Sequence, residues 1–210
     1  MKLFLFISPL LIIYSASYGQ QVKLSTDRVV ADYCDGCELM YEGIPLLNNI
    51  SSETSLIKKD EHGAHLEITG IVYKPDGKTP TGGVVLYIYH TDAHGLYSSA
   101  KDQVHAKRHG HLRGWVKTNE QGQFKINSIR PAPYPNGNIP AHLHIFVKEP
   151  HKTLYYIDEV WFTDDPLVTS ELKRKAEKRG GNLIIPLTKE GNDWKGNLKI
   201  TLGLNIPNYF

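Results

Sequence analysis

Residues 139–147 have the sequence IPAHLHIFV, which predicts a β-strand that carries a His-x-His motif. Because side chains alternate between the two faces of a strand, His142 and His144 point the same way. Two imidazoles on one face of a strand can chelate a single metal ion. Alternatively, both histidines are ordinary polar residues on the exposed face of a half-buried strand. The opposite face is apolar and predicts part of a core: Leu143, Ile145 and Val147.

A tyrosine precedes this strand in residues 130–135, a stretch too rich in proline to form a helix. The stretch can fold back over the strand, which makes the phenol oxygen of Tyr134 a candidate ligand. A phenol has an unperturbed pKa of about 10, so a strong Lewis acid is needed to hold it deprotonated at neutral pH. This favours Fe(III) over zinc or magnesium. A second phenolate would strengthen the case, but position alone does not select it among the twelve tyrosines of the chain.

The rest of the hydrophobic pattern predicts short strands separated by turn residues. These strands fall at residues 66–73, 84–90, 113–118, 124–126 and 155–162, with the third and fourth joined as a hairpin by the turn at 119–122. A short helix is expected at 166–179, followed by a closing hairpin of residues 183–187 and 198–202. The pattern indicates an all-β fold, a β-sandwich with long loops and one short C-terminal helix.

The N-terminus has the features of a secretory signal peptide. Lys2 precedes the apolar run 3–13, which is too short to span a membrane, and small residues follow it up to a cleavage site near Gly19. We expect residues 1–19 to be removed and the protein to be secreted or periplasmic, although an uncleaved anchor is the alternative. Residues 20–64 are weakly periodic and are interpreted as an N-terminal arm, and residues 65–210 as the core domain.

Both cysteines lie in the arm, as Cys34-x-x-Cys37. A redox pair or half of a zinc site is one interpretation of this spacing. A local disulfide is the default in an oxidising compartment, and we expect that pairing here.

The charge distribution argues against nucleic acid as a partner. The formal net charge is +2 and the acidic and basic residues are interspersed, without the basic blocks typical of nucleic-acid binding. We also expect no membrane association after cleavage of the signal peptide. A homo-oligomer is left open by the sequence.

Three further histidines lie in a polar loop: His105, His109 and His111. Because the loop has no helical or strand frame, we interpret them as solvated or as lining the site. Alternatively, they join His142 and His144 in a copper or zinc site.

Residues 65–167 resemble the intradiol ring-cleavage dioxygenases, the family of protocatechuate 3,4-dioxygenase and catechol 1,2-dioxygenase. The resemblance covers about half of the chain and rests on four ordered pieces: residues 84–97 ending in Gly95-Leu96-Tyr97, Arg113-Gly114 with Thr118 and Gly122, Pro131-Ala132-Pro133-Tyr134-Pro135, and Pro140-Ala141-His142-Leu143-His144.

This resemblance implies a non-haem Fe(III) site and its ligands: Tyr97, Tyr134, His142 and His144. It implies an enzyme that cleaves a catechol with O2 between the two hydroxylated carbons, giving a cis,cis-muconate-type product. In this family the second tyrosine leaves the iron and takes a substrate proton, a role that falls to Tyr134.

Two positions depart from the family pattern. Ile139 occupies the place of an arginine thought to stabilise the substrate anion, and Glu159 the place of a glutamine that often faces the site. We count Glu159 with Tyr134 as a candidate catalytic residue. A lost cation and a gained acid predict a preference for neutral catechols over protocatechuate. The alternative from another class is a non-catalytic, transthyretin-like binding module, since a β-sandwich does not by itself imply chemistry.

Overall fold

A computed structural model of the chain describes residues 27–32, 34 and 36–210. The predicted signal peptide, residues 1–19, lies outside the described residues. The described chain folds into two β-sheets with a single short α-helix, which confirms the all-β sandwich. In the part of the chain described, no helix is long and apolar enough to cross a membrane.

The elements follow one another in the order β1 Glu53–Ser55, β2 His65–Tyr73, β3 Val85–Tyr89, β4 Arg113–Lys117, β5 Gln123–Ile129, β6 His142–Lys148, β7 Tyr155–Tyr156, β8 Val160–Phe162, α1 Ser170–Lys175, β9 Ile184–Ile185, β10 Leu187–Glu190 and β11 Asp193–Thr201. Short 3-10 helices occupy Cys37–Tyr41, Leu47–Asn49 and Lys107–His109.

The first sheet has the strand order β1-β5-β2-β11-β10, and the second has β4-β3-β6-β8-β9, with β7 also paired to β6. Strand β3 lies between β4 and β6 and is buried at all five residues, as its unbroken apolar sequence predicts. Strand β2 instead alternates between buried and partly exposed residues, which is typical of a strand with one face on a core. The main core lies between the sheets and is largely aliphatic.

The predicted hairpin of residues 113–118 and 124–126 is wrong. Strand β4 pairs with β3 in the second sheet, whereas β5 pairs with β2 in the first. The turn between them is where expected, with the side chain of Asn119 accepting the amide of Gln123 at 2.8 Å. The connection between β4 and β5 therefore passes from one sheet to the other. Both strands are amphipathic, and each packs its apolar face against the core from a different sheet.

Three C-terminal predictions also need correction. The strand expected at 155–162 is divided into β7 and β8. Helix α1 is shorter than predicted: it begins after the N-cap Thr169 and ends at Lys175, with Ala176 as its C-cap. The closing hairpin consists of β10 and β11, while β9 joins β8 in the other sheet.

The N-terminal arm is part of the packed structure. Its strand β1 pairs in parallel with β5. Cys34 and Cys37 form a disulfide, and Cys37 and Met40 pack into a second hydrophobic cluster on the outer face of the second sheet. This cluster is rich in aromatic residues: Tyr87, Tyr89 and Phe146 belong to it.

Candidate metal centre

Four side chains meet at the end of β6 and form a closed ring of polar atoms. The Oη atoms of Tyr97 and Tyr134 are 2.7 Å apart, and Tyr97 Oη is 3.0 Å from His144 Nε2. The Nε2 atoms of His142 and His144 are 3.0 Å apart, and His142 Nε2 is 3.3 Å from Tyr134 Oη. The structure thus brings together all four residues that the sequence proposed as metal ligands.

The spacing of these atoms fits a single metal ion. Ligand atoms about 2.0–2.1 Å from one ion, at angles near 90–110°, lie about 2.9–3.4 Å from each other, and the edges of the ring are 2.7–3.3 Å. The Nδ1 atom of His142 donates to the carbonyl of Pro140 at 2.6 Å, which leaves the Nε2 lone pair facing the ring. Such a bond from the distal nitrogen is a common way to orient a ligating imidazole.

The electrostatics of the ring favour a strong Lewis acid. Burial, with the neighbouring His142, lowers the pKa of His144 to about 3, so the imidazole is neutral and able to ligate. Burial raises the pKa of Tyr97 well above its ordinary value, and its hydrogen bond with Tyr134 adds to the effect. A phenol in this environment ionises only when a cation of high charge binds it, so the donor set suits Fe(III).

Asp92 organises the loop that carries Tyr97. One oxygen of its carboxylate accepts the amides of His94 and Leu96 at 2.8 and 3.0 Å, and the other accepts the hydroxyl of Ser98 at 2.5 Å. A short polar side chain that bonds the backbone just ahead of it is a local turn signal. The polar sequence 92–97 is therefore a shaped turn that fixes the position of Tyr97.

A glycine brings the two tyrosine loops into contact. Gly95 has a φ of +79°, and a Cβ at this position would overlap the carbonyl oxygen of Pro133. The loops are also tied by two hydrogen bonds to Ala132: its amide donates to the Asp92 carbonyl at 3.1 Å, and its carbonyl accepts the Thr91 hydroxyl at 2.7 Å. Tyr97 and Tyr134 converge because their loops pack backbone to backbone.

The histidines lie on a strand that is paired on both edges. Tyr89 of β3 lies opposite His144, and Trp161 of β8 lies opposite His142. At the start of the strand, the buried carboxylate of Asp165 accepts the amide of Ala141 at 2.8 Å. The two imidazoles are therefore held by the sheet itself.

The sequence did not single out the aromatic stack behind His144. The ring of Tyr89 stacks on His144 at 4.5 Å and on His109 at 3.8 Å, with interplanar angles of 15° and 5°. His109 Nδ1 lies 3.0 Å from the hydroxyl of Tyr87. The available signal was the alternation of Tyr87 and Tyr89 along β3, which places both on one face.

The other loop histidines have separate surroundings. His111 contacts Glu61 and the carbonyl of Ser98, whereas His105 is exposed and lies against Gly43. Within residues 27–32, 34 and 36–210, no group of three or more His, Cys, Asp or Glu side chains is arranged to hold a metal ion. The structure thus gives no support to a copper or zinc site that recruits His105, His109 and His111.

The two departures from the family pattern lie as follows. Glu159 immediately precedes β8, next to the pair of Leu143 with Val160, and its charge adds to the effect of burial in raising the pKa of Tyr97. Ile139 is 48 % exposed and so does not pack into the core. Arg113 and Arg130 are both engaged in other contacts. Arg113 donates to the Tyr87 hydroxyl and the backbone carbonyl of Glu42, and Arg130 forms a double hydrogen bond with Asp164.

Comparison with known proteins agrees with this geometry. A family model described as "Dioxygenase" matches residues 46–193, well over half of the chain. Together with the relatives below, it shows that the chain belongs to the intradiol ring-cleavage dioxygenase family.

Two curated relatives show the extent of the similarity. The chain is 30% identical over 169 residues to catechol 1,2-dioxygenase 1 of Acinetobacter lwoffii, covering 69% of this chain and 54% of that protein. It is 29% identical over 169 residues to a chlorocatechol 1,2-dioxygenase of a Pseudomonas species, covering 70% and 64%. The chain therefore spans less than two thirds of the length of these relatives.

Among solved structures, the dioxygenase domain of a dioxygenase carbohydrate-binding protein fusion from a cellulolytic Streptomyces has the same fold. The TM-score is 0.58 at 22% identity, with 81% of this chain and 96% of that chain covered.

Proposed function

We propose that this protein is an Fe(III)-dependent oxidoreductase that cleaves a catechol between its two hydroxylated carbons with O2. The observation that carries the proposal is the closed ring of two phenol oxygens and two imidazole nitrogens. Family membership supports it, since two curated relatives of the chain are named for catechol and chlorocatechol. A non-catalytic binding module would have no reason to collect these four side chains.

The four residues have different parts in the proposed reaction. His142 and His144 are held by the sheet, and with Tyr97 they would hold the ferric ion. Tyr134 lies on a loop and is the group that gives way to the substrate, its Oη atom accepting a proton from the catechol. In this role Tyr134 would act as a general base. When bound, ferric iron would supply the Lewis acidity that makes the catecholate reactive towards O2.

The overall reaction needs no external reductant. The carbon–carbon bond between the two hydroxylated carbons breaks, and both atoms of O2 enter the product. A cis,cis-muconate-type diacid results, in which each former C–OH carbon is a carboxyl carbon.

Glu159 is the second proposed catalytic residue. Its negative charge adds to the effect of burial in raising the pKa values of Tyr89 and Tyr97. We expect it to favour the protonated forms of nearby phenols and to disfavour a substrate with a carboxylate directly on the ring.

The proposed site of action is outside the cytoplasm. Residues 1–19 have the charge and hydrophobic length of a signal peptide, and the disulfide of Cys34 with Cys37 suits an oxidising compartment. Export is tested by sequencing the N-terminus of the protein recovered from the medium or periplasm.

The proposed chemistry is tested on purified full-length protein. We expect about one iron per chain, a visible absorption band from tyrosinate-to-iron charge transfer, and O2 uptake with catechol that yields a diacid identified by NMR. Zinc or copper in place of iron, or a colourless protein that binds catechols without O2 uptake, would overturn the proposal and favour a different site or a binding module.

A further inference from the structure

A cavity of about 380 Å³ lies between α1 and the strands β8 and β9. The strands contribute Glu159 and Trp161 to its wall, and the segment containing α1 contributes Lys173 and Lys178. None of the four ring residues lines the cavity, so it is separate from the metal centre itself.

The cavity nevertheless begins beside the metal centre. Trp161 pairs with His142 across β6 and β8, and residues directly opposite each other on neighbouring strands share a face of the sheet. Glu159 immediately precedes β8 and also lines the cavity. These two residues form the boundary between the metal ring and the cavity, about one strand spacing, or about 4.8 Å, from β6.

The cations of this region differ in how they are paired. Lys175 forms an ion pair with Glu171 at 2.7 Å, and Arg179 forms one with Glu177 at 2.5 Å. Within the part of the chain that the structure describes, no such ion pair involves Lys173 or Lys178.

The two acidic residues of the cavity wall, Asp158 and Glu159, come just before strand β8. Asp158 already accepts the backbone amide of Lys178 at 2.6 Å. Glu159 immediately precedes β8, the strand that pairs with β6, whereas Lys173 and Lys178 belong to the segment that contains α1. The cavity is thus negative where it meets the metal centre and positive at its other side, where Lys173 and Lys178 lie.

We infer that this cavity is a second subsite, which receives the carboxylate end of a side arm attached to the catechol ring. The inference rests on the proposed function and specifies its substrate class: catechols with an anionic arm several atoms long. A carboxylate attached directly to the catechol ring would lie near the negative charge of Glu159. A carboxylate on a longer arm would extend beyond Glu159 and reach the ammonium groups of Lys173 and Lys178.

The first test compares two catechols that differ in the end of the arm. We expect kcat/KM to be higher for 3-(3,4-dihydroxyphenyl)propanoate than for 4-ethylcatechol. Changing either Lys173→Gln or Lys178→Gln should lower kcat/KM for the propanoate about threefold, and the double variant about tenfold, because partly exposed ion pairs are modest in strength. Values for 4-ethylcatechol should change less than twofold.

Arg174→Gln is the matched control, since Arg174 is on the same helix but does not line the cavity. The inference is wrong if the two substrates are used equally well, or if Arg174→Gln lowers the propanoate rate as much as Lys173→Gln does.

A binding measurement keeps the test independent of turnover. Calorimetric titration with 3-(4-hydroxyphenyl)propanoate, a monophenol with the same arm, should give a Kd that the double lysine variant weakens about tenfold. If wild-type protein cleaves neither catechol, the proposed function fails, and the titration still decides whether the cavity binds the arm. Unchanged binding in the double variant would overturn the inference alone.

Discussion

The two faces of strand β6 differ in the kind of side chain they carry and in what those side chains contact. Towards the other sheet, Leu143, Ile145 and Val147 are buried among aliphatic side chains of the main core. Towards the outside, Phe146 packs in the aromatic cluster, while His142 and His144 contribute two of the four polar atoms of the candidate metal centre. The inner face needs only side chains of suitable size and apolarity, whereas the outer face needs particular atoms at particular positions.

This comparison predicts that stability and metal binding can be changed separately. Leu143→Ala should lower the free energy of unfolding by about 2–5 kcal/mol, the usual cost of emptying a buried leucine site, while the folded fraction keeps its iron. His142→Ala or His144→Ala should abolish iron binding and visible colour with a smaller change in stability. Iron analysis and urea unfolding of the three variants check this, and full iron in a histidine variant would contradict the ligand assignment.

Gly95→Ala should damage the metal centre from a distance. The new Cβ would overlap the Pro133 carbonyl oxygen and separate the loops of Tyr97 and Tyr134, so we expect loss of more than half of the iron. Gly83→Ala is the matched control, because Gly83 has a similar φ of +78° but no atom within 4 Å of the position that a Cβ would take. Equal iron content in the two variants would show that loop contact does not control the site.

The two tyrosines should differ when each is changed to phenylalanine. Tyr134→Phe should retain most of the iron and bind catechol, with kcat lowered about 10²-fold by loss of the proton acceptor. Tyr97→Phe should lose iron. Iron content and catechol-induced absorption changes separate the two effects, and wild-type kcat in Tyr134→Phe would exclude its role as the displaced base.

Ile139→Arg should add a positive charge at the position where the family pattern has an arginine, between Tyr134 and His142 in the sequence. A charge pair at about 4 Å is worth roughly 4 kcal/mol at an effective dielectric of 20, and a third of that value raises a rate about tenfold. We therefore expect kcat/KM for protocatechuate to rise about tenfold and that for catechol to change little.

Leu47→Arg is the control for Ile139→Arg, since it adds the same charge at an exposed leucine of the arm. Wild-type protein that already prefers protocatechuate over catechol would show that another cation serves this substrate.

The smallest effect concerns a contact behind the metal centre. Burial lowers the pKa of His111, but Glu61 and the Ser98 carbonyl more than offset this and raise it above its ordinary value of 6.5. A raised pKa gives stability that is fully present below pH 6.5 and is lost as the pH rises through the folded-state value. His111→Asn should therefore cost about 1 kcal/mol at pH 6 and much less at pH 9, as measured by urea unfolding.

His65→Asn is the matched variant for that comparison. His65 lies 3.3 Å from Asp193 in an exposed ion pair, so its loss should change stability by about 0.5 kcal/mol or less at either pH. Iron content should be unaffected in both variants.

The sequence predicted the sandwich and strands β2, β3 and β6. These predictions succeeded because side-chain alternation and turn residues are local properties of the chain. The partners of β4 and β5 were not predictable in this way. Each has the pattern of a half-buried strand, and its local sequence does not determine which sheet it joins. The division of residues 155–162 likewise depends on which edge of β6 each half meets.

For the candidate metal centre, the residue pattern offered Tyr134, His142 and His144 as ligands, and Tyr97 came only from the resemblance to the family. The surroundings of these residues were not predicted. The stack of Tyr89 between His109 and His144 brings together residues from a strand and a distant loop, and the packing of the arm on the aromatic cluster joins residues far apart in the sequence. Glu159 could be placed only through the resemblance, since its position beside β6 depends on how β8 pairs with that strand.

The pairing of β6 on both edges has a consequence for hydrogen exchange. Backbone amides between two paired neighbours exchange with deuterium only when a large cooperative unit opens, whereas loop amides exchange through small local fluctuations. The strand that holds His142 and His144 should therefore be among the slowest segments to take up deuterium. The loop of Tyr134 should exchange much faster, so that one ligand can withdraw and return on the time scale of turnover while the sheet beneath it stays closed.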